Sequence, residues 1–212
     1  RLVHKGVDIV MGGQQNNYQI TASRTNPGEF DLQGRPSMLN INTLTKNYGF
    51  EFDRKVFMDK NSAYIQIPVY QTRSMGGFNV KQRLEPVTKP VIIKVAPGNI
   101  NNEFSISNKI NNLFYLYGGR LLLNRSLIDT TDITAHTLFS SSKESWVVEG
   151  SGYGNINTTS PPTDKLLRKE PLGLFLRGTF PSTYKDEQAP SWPSQQTDEE
   201  TAEEEEPVLI SG

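Results

Sequence analysis

Residues 62–75 read Ser-Ala-Tyr-Ile-Gln-Ile-Pro-Val-Tyr-Gln-Thr-Arg-Ser-Met, and Ile65, Ile67 and Val69 recur there at every second position. Successive side chains of a β-strand point to opposite faces, so this alternation predicts a half-buried strand. Pro68 interrupts the stretch and has no backbone N–H to donate, which places the strand at a sheet edge or at a bulge. The stretch therefore indicates a β fold.

The segments on either side share this β-branched and aromatic bias. Phe50 and Phe52 alternate with acidic residues, and residues 91–95 (Val-Ile-Ile-Lys-Val) read as a buried strand. The 17 Gly and 13 Pro are spread along the chain, as expected for short strands joined by turns. We expect an all-β fold, built as an antiparallel β-sandwich of jelly-roll type.

Two apolar runs, residues 113–117 and 121–123, surround Gly118-Gly119. A Gly-Gly pair between two apolar runs predicts a β-hairpin. Either run is also compatible with a short helix, because periodicity does not separate helix from strand at this length.

The predicted β-rich domain spans residues 40–180 and lies between two polar ends. Residues 1–39 read as an extended N-terminal arm with one strand candidate, and residues 181–212 read as a polar, acidic C-terminal tail. All 22 basic residues precede residue 198, whereas seven of the 23 acidic residues follow residue 197, so residues 1–197 carry a net charge of +6. A basic body of this kind is compatible with weak nucleic-acid contact.

Composition argues against several kinds of chemistry. The chain has no cysteine, which excludes a disulfide framework and thiolate catalysis. His4 and His136 lack metal-binding spacing, and the sequence contains neither a Gly-x-Ser-x-Gly elbow nor a Gly-Lys-Ser/Thr phosphate loop. No apolar run approaches the ~18–20 residues of a membrane span. We expect no enzymatic activity, no cofactor, no metal and no membrane span.

Seven residues are candidates for an interface. They are Tyr64, Gln66, Pro68 and Tyr70 on the predicted edge strand, and Val208, Leu209 and Ile210 near the end of the chain. The apolar triplet follows four consecutive glutamates, and such a segment can add a strand to the exposed sheet edge of a partner. The alternative is that the acidic end of the chain only keeps the protein soluble.

Two short patterns resemble the second half of a jelly-roll capsid protein of picorna-like viruses. Residues 65–70 (Ile-Gln-Ile-Pro-Val-Tyr) stand where those subunits carry a strand ending in Pro-Tyr-Tyr, and the strand at 91–95 leads to Asn101-Asn-Glu-Phe-Ser105. The resemblance covers residues 62–107. It implies a structural virion subunit that assembles with other capsid subunits, as homo- and hetero-oligomers, in the host cytoplasm and then resides in the virion. A start at Arg1 suits release from a polyprotein.

A second hypothesis is a β-sandwich module that binds or adheres at a surface. In that case we expect exposed aromatic recognition residues, namely Tyr115, Tyr117, Trp146 and Tyr153. The degree of burial of these four side chains distinguishes this hypothesis from the first.

Overall fold

β-Strands dominate the part of the chain that the computed structural model describes, namely residues 6, 8–23, 29–37, 40–72, 80–149, 154–156, 161 and 168–182. At residues 69–72, 80–83, 154 and 155 only the backbone is described. The strands are β1 (Asn16–Ala22), β2 (Phe30–Pro36), β3 (Phe50–Phe52), β4 (Val56–Asp59), β5 (Ser62–Thr72), β6 (Val80–Val95), β7 (Leu113–Leu116), β8 (Leu121–Leu123), β9 (Thr134–Ser140), β10 (Ser145–Val148), β11 (Gly154–Asn155) and β12 (Pro171–Arg177). The helices are short: α1 (Asn42–Thr45), α2 (Arg125–Asp129), and 3-10 turns at Lys46–Tyr48 and Pro97–Asn99.

The described strands form small antiparallel sheets. Their orders are β1-β2-β11, β10-β4, β12-β9, β3-β8 and β5-β6-β7, and each pairing is antiparallel. The prediction of an all-β fold is therefore confirmed, whereas the sandwich or jelly-roll arrangement stays a prediction. All these strands belong to one unit, Arg1–Pro181.

Part of the predicted N-terminal arm is a pair of strands. β1 and β2 pair over seven residues each, and Gly154–Asn155 adds to the other edge of β2. The side chain of Leu32 on β2 is only 2% exposed and packs in the core. The boundaries 1–39, 40–180 and 181–212 remain predictions.

Strand β4 and residues 91–93 of β6 are buried on both faces, and one apolar cluster lies on each side of them. The first cluster contains Leu32, Val56, Met58, Val91, Ile92 and Trp146, and the second contains Phe57, Ile93, Val95, Ile100 and Leu172. Because alternate side chains of a strand point to opposite faces, Val56 and Met58 enter the first cluster and Phe57 enters the second. Fully burying one such side chain contributes roughly 1.5–3 kcal/mol.

A third cluster forms around the predicted alternation at residues 50–52. Phe50 and Phe52 are both 7% exposed and pack with Tyr48 and Leu121. Strand β3 pairs with β8, which places Leu121 directly opposite Phe52. The turn before β3 ends at Gly49, whose positive φ of 85° a side chain rarely adopts.

Strands β5 and β6 form a long two-stranded ribbon. Tyr64–Thr72 pairs residue by residue with Val80–Thr88, and a register shift follows between Ser62 and Tyr64. Strand β7 joins β6 only from Ile92 to Val95, so among the described strands the distal part of β6 has β5 on one side alone. Pro68 lies on β5, at the end of the sheet. The predicted edge position of Pro68 is confirmed.

The predicted hairpin at Gly118-Gly119 is wrong. Strand β7 pairs with β6, and β8 pairs with β3 in a different sheet. The connection packs tightly: a Cβ on Gly118 would overlap the ring of Tyr115, and one on Gly119 would lie 2.9 Å from the carbonyl oxygen of Asp53. The two glycines permit this close approach, rather than forming a hairpin turn.

One arginine connects three separate segments. The Nε of Arg120 lies 2.7 Å from Oδ2 of Asp53, and its Nη1 lies 3.3 Å from Oε2 of Glu170. The side chains of Asp53 and Arg120 are only 7% and 18% exposed, so solvent screens this ion pair only weakly. Arg120 therefore ties the end of β3 to the start of β8 and to the residue before β12.

Replacing Arg120 by alanine tests this connection. Arg120→Ala leaves the carboxylate of Asp53 buried without its cation, and we expect a loss of about 3 kcal/mol in the free energy of unfolding. The measurement is urea denaturation followed by Trp fluorescence. Lys60→Ala is the control, since Lys60 pairs with Glu144 at the surface (60% and 53% exposed) and should change stability by about 0.5 kcal/mol or less. Equal losses in both variants would contradict the assignment.

Candidate functional site

The most polar internal cluster surrounds Asp59 at the end of β4. Its side chain is 0% exposed. Oδ1 accepts hydrogen bonds from the backbone N–H of Asn61 (2.8 Å) and the hydroxyl of Ser142 (2.6 Å), and Oδ2 accepts one from the N–H of Ser142 (2.7 Å). The carboxylate thus closes two turns that belong to different parts of the chain. Every bond it makes is structural.

The neighbouring serines continue this internal network. The hydroxyls of Ser141 and Ser145 lie 3.1 Å apart, and the backbone N–H of Glu170 donates to the Ser141 hydroxyl at 2.9 Å. Ser141 and Ser145 are 1% and 0% exposed. These bonds join the turn at residues 141–145 to the segment before β12.

Histidine 136 lies between aromatic rings on the β9–β12 sheet. Its ring centroid is 4.9 Å from that of Phe104 and 6.4 Å from that of Phe175, which it stacks at 25°. Within the ranges that the structure describes, no three His, Asp or Glu side chains are grouped closely enough to hold a metal ion. His4 lies outside those ranges, and the absence of a metal stays a prediction.

The aromatic residues proposed for surface recognition are mostly internal. Trp146 is 2% exposed and belongs to the first core cluster. The hydroxyl of Tyr115 donates to the carbonyl oxygen of Gly119 at 2.7 Å. Tyr117 stacks on Tyr18, with ring centroids 5.6 Å apart. Tyr153 lies outside the described residues, so the expectation of an exposed aromatic patch is wrong for Trp146 and has no support at Tyr115 or Tyr117.

Burial shifts the ionisation of these tyrosines. Burial raises the pKa of Tyr18 to about 12, and a hydrogen bond with the Asn16 side chain partly opposes the shift. The pKa of Tyr115 is also raised, first by burial and then by the charge of Tyr18 nearby. Burial raises the pKa of Tyr117 as well. The three phenols stay neutral at physiological pH and pack against the apolar clusters.

The outer face of the ribbon presents exposed side chains from both strands. Tyr64, Gln66 and Pro68 on β5 lie opposite Thr88, Pro86 and Leu84 on β6, and all six are exposed. Tyr64 and Leu84 are 66% and 55% exposed. The inner face behaves differently, because Ile65 packs on the first core cluster and Val87 is 4% exposed. We call these six residues the ribbon face.

The ribbon face brings together three of the seven predicted interface residues. Tyr64, Gln66 and Pro68 share it because they alternate on one strand. The side chain of Tyr70, and the whole of Val208, Leu209 and Ile210, lie outside what the structure describes. The role of all seven residues in binding stays a prediction.

Other exposed apolar residues were missed by the sequence reasoning. Phe114 and Leu116 on β7 are 55% and 46% exposed, and Ile106 in the loop before β7 is 57% exposed. The run Leu113-Phe-Tyr-Leu is apolar at each position, so its pattern does not show which side faces the core. Leu84 was also missed, although its place opposite Pro68 follows once the pairing is known.

A family model described as an ABC-type uncharacterized transport system matches residues 10–212. No curated protein and no solved structure matches the chain. No helix among the described residues is long and apolar enough to cross a membrane.

This match corrects the resemblance to picorna-like capsid proteins. The expected virion function, the capsid-subunit partners and the location in the virion and host cytoplasm are wrong, because the chain matches a transport family over nearly its whole length. The motif at residues 65–70 reflects an edge strand that tolerates proline, a feature that many β proteins share. The weak nucleic-acid contact expected from the basic charge of residues 1–197 is corrected with the other partners, because the family is one of transport systems.

Removing the Asp59 carboxylate tests whether the internal polar cluster is structural. Asp59→Ala leaves two part-buried backbone N–H groups and a hydroxyl without their acceptor, so we expect the free energy of unfolding to fall by about 2–3 kcal/mol. Asp132→Ala is the matched control, because the Asp132 side chain is exposed. Chemical denaturation measures both. An unchanged stability in Asp59→Ala would contradict the structural role.

The tyrosine pKa shifts predict a loss of stability at high pH. A pKa of about 12 in the folded protein, against about 10 in an unfolded chain, means that the folded state keeps a proton that the unfolded state has lost. Stability therefore falls as pH rises from about 10 towards 12. Absorbance at 295 nm should show late-ionising tyrosines, and Tyr18→Phe should remove one of them. Complete tyrosine ionisation near pH 10 in the folded protein would contradict this result.

Proposed function

The chain belongs to the family described as an ABC-type uncharacterized transport system, and on that premise we propose that it is an accessory component of such a system in the cell envelope. In this proposal it acts by binding another component of the system, not by catalysing a reaction. The observation that carries the proposal is the match over residues 10–212.

The absence of a phosphate-binding signature supports a non-catalytic role. The 212 residues contain no Gly-Lys-Ser/Thr sequence, which an ATP-hydrolysing component of this type of transporter needs to hold the nucleotide phosphates. In this proposal, ATP hydrolysis belongs to another component. Two internal charged clusters among the described residues, around Asp59 and Arg120, make structural bonds.

The ribbon face supports a role in binding. Its six residues carry no charge, and Tyr64 and Leu84 expose large apolar surfaces on two paired strands. Aromatic side chains at the centre of an interface commonly contribute most of the binding energy, and exposed apolar patches mark interaction sites. We assign Tyr64 and Leu84 as the anchors of the contact with the transport partner.

Recovery of the partner from membranes tests this function. The full chain, carrying an affinity tag, is expressed in its source cells, crosslinked, solubilised in detergent and captured. We expect an ATP-binding or membrane-spanning subunit of an ABC transport system among the captured proteins, identified by peptide mass spectrometry. Tyr64→Asp places a charge in an apolar contact and should reduce recovery of that subunit by about tenfold or more.

Ile106→Asp is the matched control for Tyr64→Asp. Ile106 is an apolar residue of similar exposure, 57% against 66%, but lies in the loop before β7. We expect this variant to recover the subunit as the unmodified chain does. Capture of no ABC subunit by the unmodified chain would overturn the function. Equal losses in the two variants would overturn the assignment of the ribbon face.

A further inference from the structure

The hydrogen-bonding pattern of β7 determines which of its backbone groups point outward. The N–H of Tyr117 donates to the carbonyl oxygen of Val91 at 3.0 Å, so these two residues form a hydrogen-bonded pair in continuation of the register that aligns Tyr115 with Ile93. Hydrogen-bonded and non-hydrogen-bonded pairs alternate along an antiparallel ladder. Phe114 and Leu116 are therefore in non-hydrogen-bonded pairs, and their N–H and C=O groups point away from β6.

The partner residue on β6 agrees with this pattern. Phe114 lies opposite Lys94, and the N–H of Lys94 donates in the other direction, to the carbonyl oxygen of Asn61 at 2.9 Å. The carbonyl of Lys94 likewise accepts from the Asn61 side chain at 2.7 Å. Since Lys94 turns its backbone away from β7, Phe114 turns its own backbone to the outer edge.

The outer edge of β7 is open within the described part of the chain. β7 is the last strand in the order β5-β6-β7, and Phe114 and Leu116 are exposed while Leu113 and Tyr115 pack on the second core cluster. The edge has no proline and no charged residue between Asn111 and Tyr117. Proteins commonly block exposed edges with such residues, because an open edge pairs with other chains.

The ribbon provides the contrast within the same sheet. Pro68 lies on β5, and Pro86 and Pro90 lie on β6, and a proline cannot donate a ladder hydrogen bond. Strand addition is thereby disfavoured along the ribbon, whereas β7 retains each backbone donor. The sheet thus has one edge that is suited to pairing.

We propose that the outer edge of β7 is a strand-addition site, which an extended segment of the transport partner occupies by pairing with Phe114 and Leu116. The inference rests on the proposed function, because that function identifies the transport partner as the protein that supplies the added strand. Phe114 and Leu116 project on one side of the sheet, together with Lys94. A segment that fits this site has apolar side chains at alternate positions on the side of Phe114 and Leu116. It also has an acidic residue within reach of the Lys94 cation.

Amide hydrogen exchange tests the site residue by residue. In the isolated full chain, the amides of Phe114 and Leu116 should exchange at least about 100-fold faster than those of Tyr115 and Tyr117, whose N–H groups point to β6. In the crosslinked and captured assembly, both fast amides should become as slow as their neighbours. Slow exchange at Phe114 and Leu116 in the isolated chain would overturn the proposal, because the edge would already be covered.

A pair of variants separates backbone pairing from side-chain contact. Phe114→Pro removes an N–H that points outward and leaves the bonds between β6 and β7 in place, and Phe114→Ala keeps the N–H. Stronger loss of partner recovery with Phe114→Pro than with Phe114→Ala, at unchanged thermal stability, supports strand addition. If Phe114→Pro does not fold, the exchange measurement on the unmodified chain decides alone.

The outcomes distinguish this site from the proposed function. Recovery of an ABC subunit with Phe114 and Leu116 still in fast exchange would overturn the strand-addition site and leave the function intact. Failure to recover any ABC subunit would overturn the function, and the proposed source of the segment with it.

Discussion

Burial of β4 and of residues 91–93 of β6 on both faces is the constraint on which the rest of the fold depends. Phe57 points into one apolar cluster while Val56 and Met58 point into another, so neither strand can shift by one residue without exchanging its two cores. Trp146 on β10, which pairs with β4, fills the first cluster and is 2% exposed. The smaller sheets supply side chains to the apolar clusters on the two sides of these strands, and this packing positions them.

Charged groups inside the molecule also hold separate segments of the chain together. Arg120 joins three segments through Asp53 and Glu170, and Asp59 closes turns at residues 59–61 and 142. Buried charges persist only where partners satisfy them, and here the partners are protein groups at each position. The ribbon face and β7 also expose large apolar side chains to contact with other molecules.

Local sequence patterns predicted well where the strands lie but poorly which strands pair with each other. The alternation at Ile65 and Ile67 and the edge position of Pro68 follow from side-chain geometry and from the missing N–H of proline. Gly118-Gly119 was read as a hairpin because a glycine pair permits one, yet the glycines instead allow close packing against Tyr115 and Asp53. The capsid resemblance failed for a related reason, since an edge strand with a proline is not specific to one family.

The sequence by itself determined the all-β class, the edge strand at residues 64–68 and the absence of cysteine and of a Gly-Lys-Ser/Thr motif from these 212 residues, because each depends on residue type or on period alone. Only the tertiary structure decided which apolar residues stay exposed. Leu113, Phe114, Tyr115 and Leu116 look equivalent in the sequence, but pairing with β6 turns two of them into the core and two outward. Pairing between segments that are distant in the sequence determines which side chains face the core, and no local sequence pattern contains that information.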